Sequence, residues 1–234
     1  MLKLPQTAWV VSCNGRFDAI FGFWARDSIE FYNIVFDILN HYSKHILTKD
    51  VAVNISWKIC GRDWLVDEPC DRTAGDFGGV LGNEKIDKMD SEILSFLTKN
   101  SRTPIVEIAG ALGVSSSNVL YRIRRLEKRK IIVRNGMNLG LDKLGYEFCK
   151  VLVYLQNVTR KRFDELAEHC ADCPHVQAVV PVIAPWDFEL ELEVENFEHM
   201  SRIMNGIKRK FGDIIKHYET CVITKESGRR YIPK

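Results

Sequence analysis

The stretch that decides the fold runs from Ile86 to Val133, IDKMDSEILSFLTKNSRTPIVEIAGALGVSSSNVLYRIRRLEKRKIIV. Its apolar spacing predicts three short helices. Ile86, Ile93, Leu94 and Leu97 form one stripe, and Ile105, Ile108, Ala109 and Leu112 follow Pro104, which suits a first helical turn. Gly113 then breaks the chain. Ser115 is placed to cap a third helix whose buried face is Val119, Ile123 and Leu126. This is the punctuation of a helix-turn-helix, with the third helix as the reader.

The charge distribution agrees. Residues 85–135 hold eleven Lys/Arg against five Asp/Glu, a net of +6, whereas the whole chain carries +2, so the remainder is −4. Arg122, Arg124, Arg125, Lys128, Arg129 and Lys130 crowd the end of the predicted third helix. Basic charge gathered on one element is the footprint of a phosphate-backbone partner, here double-stranded DNA. The plainer reading of such a run is a solvated helix face.

Two-domain length is available in 234 residues, possibly with an extra piece. No apolar run approaches the roughly 20 residues that span a membrane, and the start, MLKLPQTAWVVS, has no leader-like core or cleavage site. Seven scattered cysteines form no disulfide framework, which fits a reducing cytoplasm.

The helical stretch resembles the DNA-binding domain of the Lrp/AsnC (feast/famine) family of prokaryotic regulators. The matching positions are Ile86-Asp87, Asp90, Ile93-Leu94, Leu97, Asn100 with Arg102, Ile108-Ala109, Leu112-Gly113, Ser115, Val119, Arg122-Ile123 and Leu126-Glu127. One position departs: Lys130 stands where the family usually has a glycine before the closing apolar pair. Glycine accepts a left-handed helix cap at little cost, and lysine there costs roughly 1 kcal/mol or takes another geometry.

Outside this domain the pattern is strand-rich. Residues 150–226 read as βαββαβ, the ferredoxin-like arrangement. Residues 7–61 read as strand, strand, helix, strand, and superpose on the later segment at an offset of 169. Phe17-Asp18 falls on Trp186-Asp187, Phe31 on Met200, Val35 on Met204 and Ile38 on Ile207. The expected class is therefore α+β: a winged helix-turn-helix domain (85–138) and a βαββαβ domain (148–228), preceded by a partial ββαβ copy (1–66). Residues 67–84, rich in glycine and charge, read as a linker. Asn135-Gly136 reads as a wing-like hairpin. Too few residues precede Thr7 for the copy's first strand and helix. The expectation is either that this is the C-terminal portion of a longer tandem regulator, or that the gap is filled by another chain or by the C-terminal domain.

Particular residues follow. Asn118 and Arg122 have the placement for base edges, Ser115 and Ser116 for capping or phosphate, and Arg125, Lys128 and Arg134 for the backbone. Tyr121 either packs or reaches phosphate. In the Lrp/AsnC family the βαββαβ domain pairs into dimers and binds small effectors, usually amino acids, beside a hairpin with a glycine, an aromatic and an aspartate. The resemblance carries that role to Gly15, Phe17 and Asp18, and to Trp186 and Asp187 in the later copy, where Ala184 replaces the glycine. Asp18 and Asp187 read equally well as turn carboxylates satisfied by backbone amides. His169-Cys170-Ala171-Asp172-Cys173-Pro174-His175 reads as a plain turn, since zinc wants four ligands. The expectation is a homo-oligomeric, effector-tuned regulator with no cofactor. The competing class is an enzyme resembling the sirohaem decarboxylases, which share this layout.

Overall fold

The computed structural model describes residues 4–66, 75–79, 84–136 and 138–230. The chain forms two compact units, Met1–Ala74 with Gly140–Lys234, and Gly75–Leu139.

In the first unit the later segment folds as read: β6 (Glu147–Leu155), α5 (Arg160–Ala171), β7 (Val176–Ile183), β8 (Phe188–Val194), α6 (Phe197–Phe211) and β9 (Ile215–Arg229). Strand order β9-β6-β8-β7, all antiparallel, is the ferredoxin-like order. Odd-numbered residues of β6 (Cys149, Val151, Val153) point to α5 and α6 and share their core with Leu166, Met200, Met204, Ile207 and Phe211. Period-2 alternation sends Lys150, Leu152 and Tyr154 to the other face.

The earlier segment supplies β1 (Thr7–Gly15), β2 (Ala19–Phe23), α1 (Ser28–His41, capped by the Asp27 side chain), β3 (Val53–Asn54) and β4 (Ser56–Ile59). One predicted strand over residues 51–59 is thus two: Ile55 N–H, donating to the Pro181 carbonyl at 2.9 Å, keeps the register of β3 on β7, and β4 resumes one residue out of it, with Lys58 opposite Val179. These strands close the two edges of the later sheet, β1 on β9 and β3 with β4 on β7. The registers are related by the sequence repeat. Val53↔Ile183 and Asn54↔Val182 become Asn14↔Val222 and Cys13↔Ile223 when each residue moves by 169 to its counterpart. A pair of contacts exchanged in this way is the signature of an isologous, two-fold arrangement.

The second unit holds α2 (Lys88–Lys99), α3 (Ile105–Leu112) and α4 (Ser116–Lys128) around Ile93, Ile108, Ala109 and Val119. Gly113 ends α3 at φ 67, with the Val114 N–H returning to the Ala109 carbonyl at 3.1 Å. The same six-residue closure ends α4, from Ile131 N–H to the Leu126 carbonyl at 2.9 Å, with Lys130 at φ 56. Lysine thus keeps the left-handed geometry and bears its cost.

Two expectations are corrected. The segment read as a linker contains a short strand, β5 (Gly75–Gly78), with Gly75 lying against Val133, so the helical unit begins earlier than its composition implied. The wing-like hairpin does not form: residues 134–136 and 138–139 carry no strand, and Leu141–Leu144 make a 3-10 turn ending at Gly145, φ 75. No β-branched run follows Gly136 to answer Ile131–Val133.

Candidate nucleic-acid interface and effector site

The reader helix is fixed by local chemistry. The Ser115 hydroxyl accepts from Asn118 N–H at 3.3 Å, so Ser115 acts as the helix cap. At the start of α2, Asp87 caps and Asp90 completes a capping box. The same two carboxylates reach across to α4. Arg122 Nη1 donates to Asp87 Oδ2 and Asp90 Oδ1, each at 2.7 Å, and Arg125 Nη2 donates to Asp90 Oδ2 at 2.6 Å. Arg122 also donates through Nε to Asn118 Oδ1 at 3.1 Å. Hydrogen bonding from Arg122 holds the Asp87 carboxyl below the usual carboxylate range. Asp90 is 0 % exposed, so a buried carboxylate is shared by two guanidinium groups.

Arg122 and Arg125 thus donate to the carboxylates at the start of α2, and both side chains keep partial exposure. The outward stripe of α4 is Ser117, Tyr121, Arg124 and Lys128, all exposed, with Tyr121 at 65 %. Ser116 and Asn118 are exposed on the first turn, and Arg134 is half-buried in the loop beyond. Ser117 was not singled out by the sequence, and Arg124 entered only as one of the basic run. The signal was present, since these positions lie opposite Val119, Ile123 and Leu126 on the helix.

In the other unit the two hairpins meet. Phe17 packs on Trp186, its own repeat counterpart, at a centroid separation of 5.9 Å. Gly15 lies at φ 121 with its α-carbon against the Thr220 carbonyl. Asp18 and Asp187 are exposed. The Asp187 carboxylate accepts from Leu155 N–H at 2.7 Å, the turn role allowed for it. Around this junction stand charged groups that the sequence did not mark. Arg16 pairs with Asp50 at 2.8 Å and Glu219 at 3.3 Å, and the Tyr154 hydroxyl donates to Glu219 at 2.7 Å. Burial and that contact with Glu219 raise the Tyr154 pKa to about 12. Deeper on the same face, Lys150 is ion-paired to Glu189 and to Glu191, and Glu189 also accepts from Trp186 Nε1 at 3.0 Å. Burial alone would lower the Lys150 pKa, but the two carboxylates outweigh it and raise it. The cysteine-histidine run falls at the end of α5, where Cys170 is buried in the core and burial pushes its thiol pKa up. Among the described residues no group of three His, Cys, Asp or Glu could hold a metal ion.

Residues 86–127 match the AsnC-type helix-turn-helix domain. A helix-turn-helix-type transcriptional regulator of Pyrococcus horikoshii is 30% identical over 122 residues, which cover 52% of this chain and 81% of the relative. The chain belongs to the Lrp/AsnC family. A second relative, the regulator LysM of Saccharolobus solfataricus, is 28% identical over 128 residues, or 55% of this chain and 87% of LysM. Among solved structures, E. coli AsnC superposes with a TM-score of 0.56 at 20% identity, covering 64% of this chain and 100% of AsnC. A transcriptional regulator of Neisseria meningitidis in complex with L-Met gives 0.57 at 18% identity, over 64% and 97%. At those identities the likeness is one of fold. As an Lrp/AsnC-family member the chain is a transcriptional regulator and not a tetrapyrrole enzyme. No helix among its described residues is long and apolar enough to cross a membrane.

Proposed function

We propose that this Lrp/AsnC-type regulator reads double-stranded DNA with the outer stripe of α4, and that Arg122 and Arg125 position that helix instead of reading sequence. The exposed line Ser117, Tyr121, Arg124 and Lys128 on the helix after Gly113 carries the proposal. Arg124 has the fork geometry for a guanine edge, Tyr121 and Asn118 border the same groove, and Lys128 and Arg134 suit phosphate. Ser116 and the free amides of the first turn suit phosphate too. The test is a salt titration of binding to the duplex upstream of the protein's own gene. Arg124→Ala should cost about 1–3 kcal/mol on the cognate duplex and far less on unrelated DNA. Equal losses on both duplexes would reduce Arg124 to a phosphate contact.

We also propose that residues 1–66 are a partial copy of the effector domain, and that an effector with paired charges, such as an amino acid, binds where the two hairpins meet. The exchanged registers and the Phe17–Trp186 contact support the first part. For the second, Arg16 offers a cation to a carboxylate, while Asp50 and Glu219 offer anions to an ammonium beside the aromatic pair. Gly15, Asp18 and Asp187 shape the rim. The L-Met complex of the neisserial regulator lends support by analogy. Screening the twenty amino acids by thermal shift should find one or more that raise the melting temperature. Arg16→Ala should abolish that rise, and a screen with no response would remove the effector. On this reading the protein acts in the cytoplasm as a homo-oligomer.

A further inference from the structure

The cysteine-histidine run at the end of α5 borders a cleft of about 240 Å³ between α5 and α6. His169, Asp172 and Cys173 line it from the α5 side, and Arg202, Ile203 and Ile207 from α6. Cys173 is half-buried there, whereas Cys170, one turn earlier, is 0 % exposed. Both pack into the same core cluster. The Cys173 N–H donates to the Cys170 carbonyl at 3.1 Å. A turn closed in this way keeps its end Cα atoms within about 7 Å, and a disulfide spans about 4.4–6.8 Å. The backbone therefore already holds the two cysteines at bridging distance.

Reactive cysteines combine access with positive surroundings. Arg202 lines the cleft, and Lys210 Nζ stands 3.2 Å from His169 Nδ1, against the Asp172 carboxylate. Burial and the Lys210 ammonium lower the His169 pKa, which leaves a neutral imidazole in the cleft to carry a thiol proton. Cys170 has the opposite character: burial, then Cys173 and Cys60, raise its pKa, so it stays a thiol. We propose that Cys170 and Cys173 form an oxidation site for a small hydroperoxide, with Cys173 attacking and Cys170 resolving. The Cys173 sulfur takes the near peroxide oxygen: an S–O bond forms, the O–O bond breaks, and the leaving hydroxide departs as water with the thiol proton. The sulfur is oxidised by two electrons and the peroxide is reduced. The Cys170 sulfur then attacks the sulfenic acid; an S–S bond forms, the S–O bond breaks, and the Cys170 proton leaves in a second water. A dithiol reverses the product by exchange. Cys13, Cys149 and Cys221 are buried, with pKa values raised by that burial, and line no part of this cleft.

The test is mass spectrometry of the full chain after brief exposure to hydrogen peroxide, with remaining thiols blocked by iodoacetamide in denaturant before digestion. It uses neither DNA nor an amino acid, so its outcome is independent of the readings above. The peptide holding residues 170–173 should be unblocked and two hydrogens lighter than its reduced form while Cys13, Cys149 and Cys221 are still fully blocked. Dithiothreitol should restore both thiols. In Cys170→Ser, dimedone should label Cys173 as the stranded sulfenic acid, and in Cys173→Ser, Cys170 should stay reduced. A pair that oxidises no sooner than the buried cysteines, a bridge from Cys173 to any cysteine but Cys170, or dimedone on Cys170 in place of Cys173 each overturns the proposal. If circular dichroism shows that Cys170→Ser has lost its fold, the order of oxidation in wild type and the bridge formed there decide.

Discussion

Replacing Asp90 with alanine is expected to loosen the reader helix by about 3 kcal/mol, a figure near the lower limit for breaking a buried ion pair. The carboxylate has no exposure and is the common acceptor for Arg122 and Arg125, at 2.7 and 2.6 Å. Its loss leaves two guanidinium groups without their inner partner. Arg122 keeps Asp87, and both arginines retain some access to water, so the penalty stays below that of a fully stranded charge. Asp90→Ala also dissolves the capping box at the start of α2, worth about 1 kcal/mol on its own. Because the chain has two units, a single melting temperature would blur the effect. Amide exchange resolved by segment is the appropriate measurement. Protection should fall in residues 88–128 and hold in β6–β9, and DNA affinity should fall with it. Unchanged protection of α4 would mean that the ion pairs contribute nothing net. Asp90→Asn, which keeps the volume and one acceptor, should lie between the two. Arg124→Ala should lose DNA with no change in protection, which separates a reading residue from a positioning one.

The helical unit was legible because its signals are local. Ser115, Gly113 and the stripe Val119, Ile123, Leu126 each act within one or two turns, whereas at Lys130 the pattern marked the position and left open whether lysine would keep the left-handed geometry it in fact adopts. The contacts of Arg122 were not legible, because its partners lie 35 and 32 residues away, and a charge run carries no record of which charges are already paired. The β-rich unit shows the same division. Strands, helices and the 169-residue offset come from periodicity. The closure of β7 and β9 by strands from the chain's other end is a long-range pairing, which periodicity leaves open. The charged groups at the hairpin junction escaped notice for a related reason: Arg16, Asp50, Tyr154 and Glu219 come from four separate segments and become a set only once those pairings exist.

Gly15→Ala should be the most damaging change in the first unit, at about 3 kcal/mol or more. Two costs coincide. A backbone at φ 121 is strained for any residue with a β-carbon, by about 1–3 kcal/mol. That β-carbon would also be driven into the Thr220 carbonyl oxygen, a backbone atom with no rotamer by which to withdraw. The same oxygen accepts from Arg16 N–H at 3.0 Å, so β1 and β9 must separate at the place where they are held together. The repeat sharpens the argument. Ala184 stands at the equivalent position of the later hairpin, and among the described non-glycine residues only Lys130 and Asn157 have positive φ. The demand for glycine thus comes from the approach of Gly15 to β9 and not from hairpins of this kind in general. In the variant, amides of β1 should exchange rapidly and the Phe17–Trp186 contact should open, visible as a change in tryptophan emission. A variant with wild-type exchange that fails only to respond to an amino acid would return Gly15 to the effector site and remove it from the joint between β1 and β9.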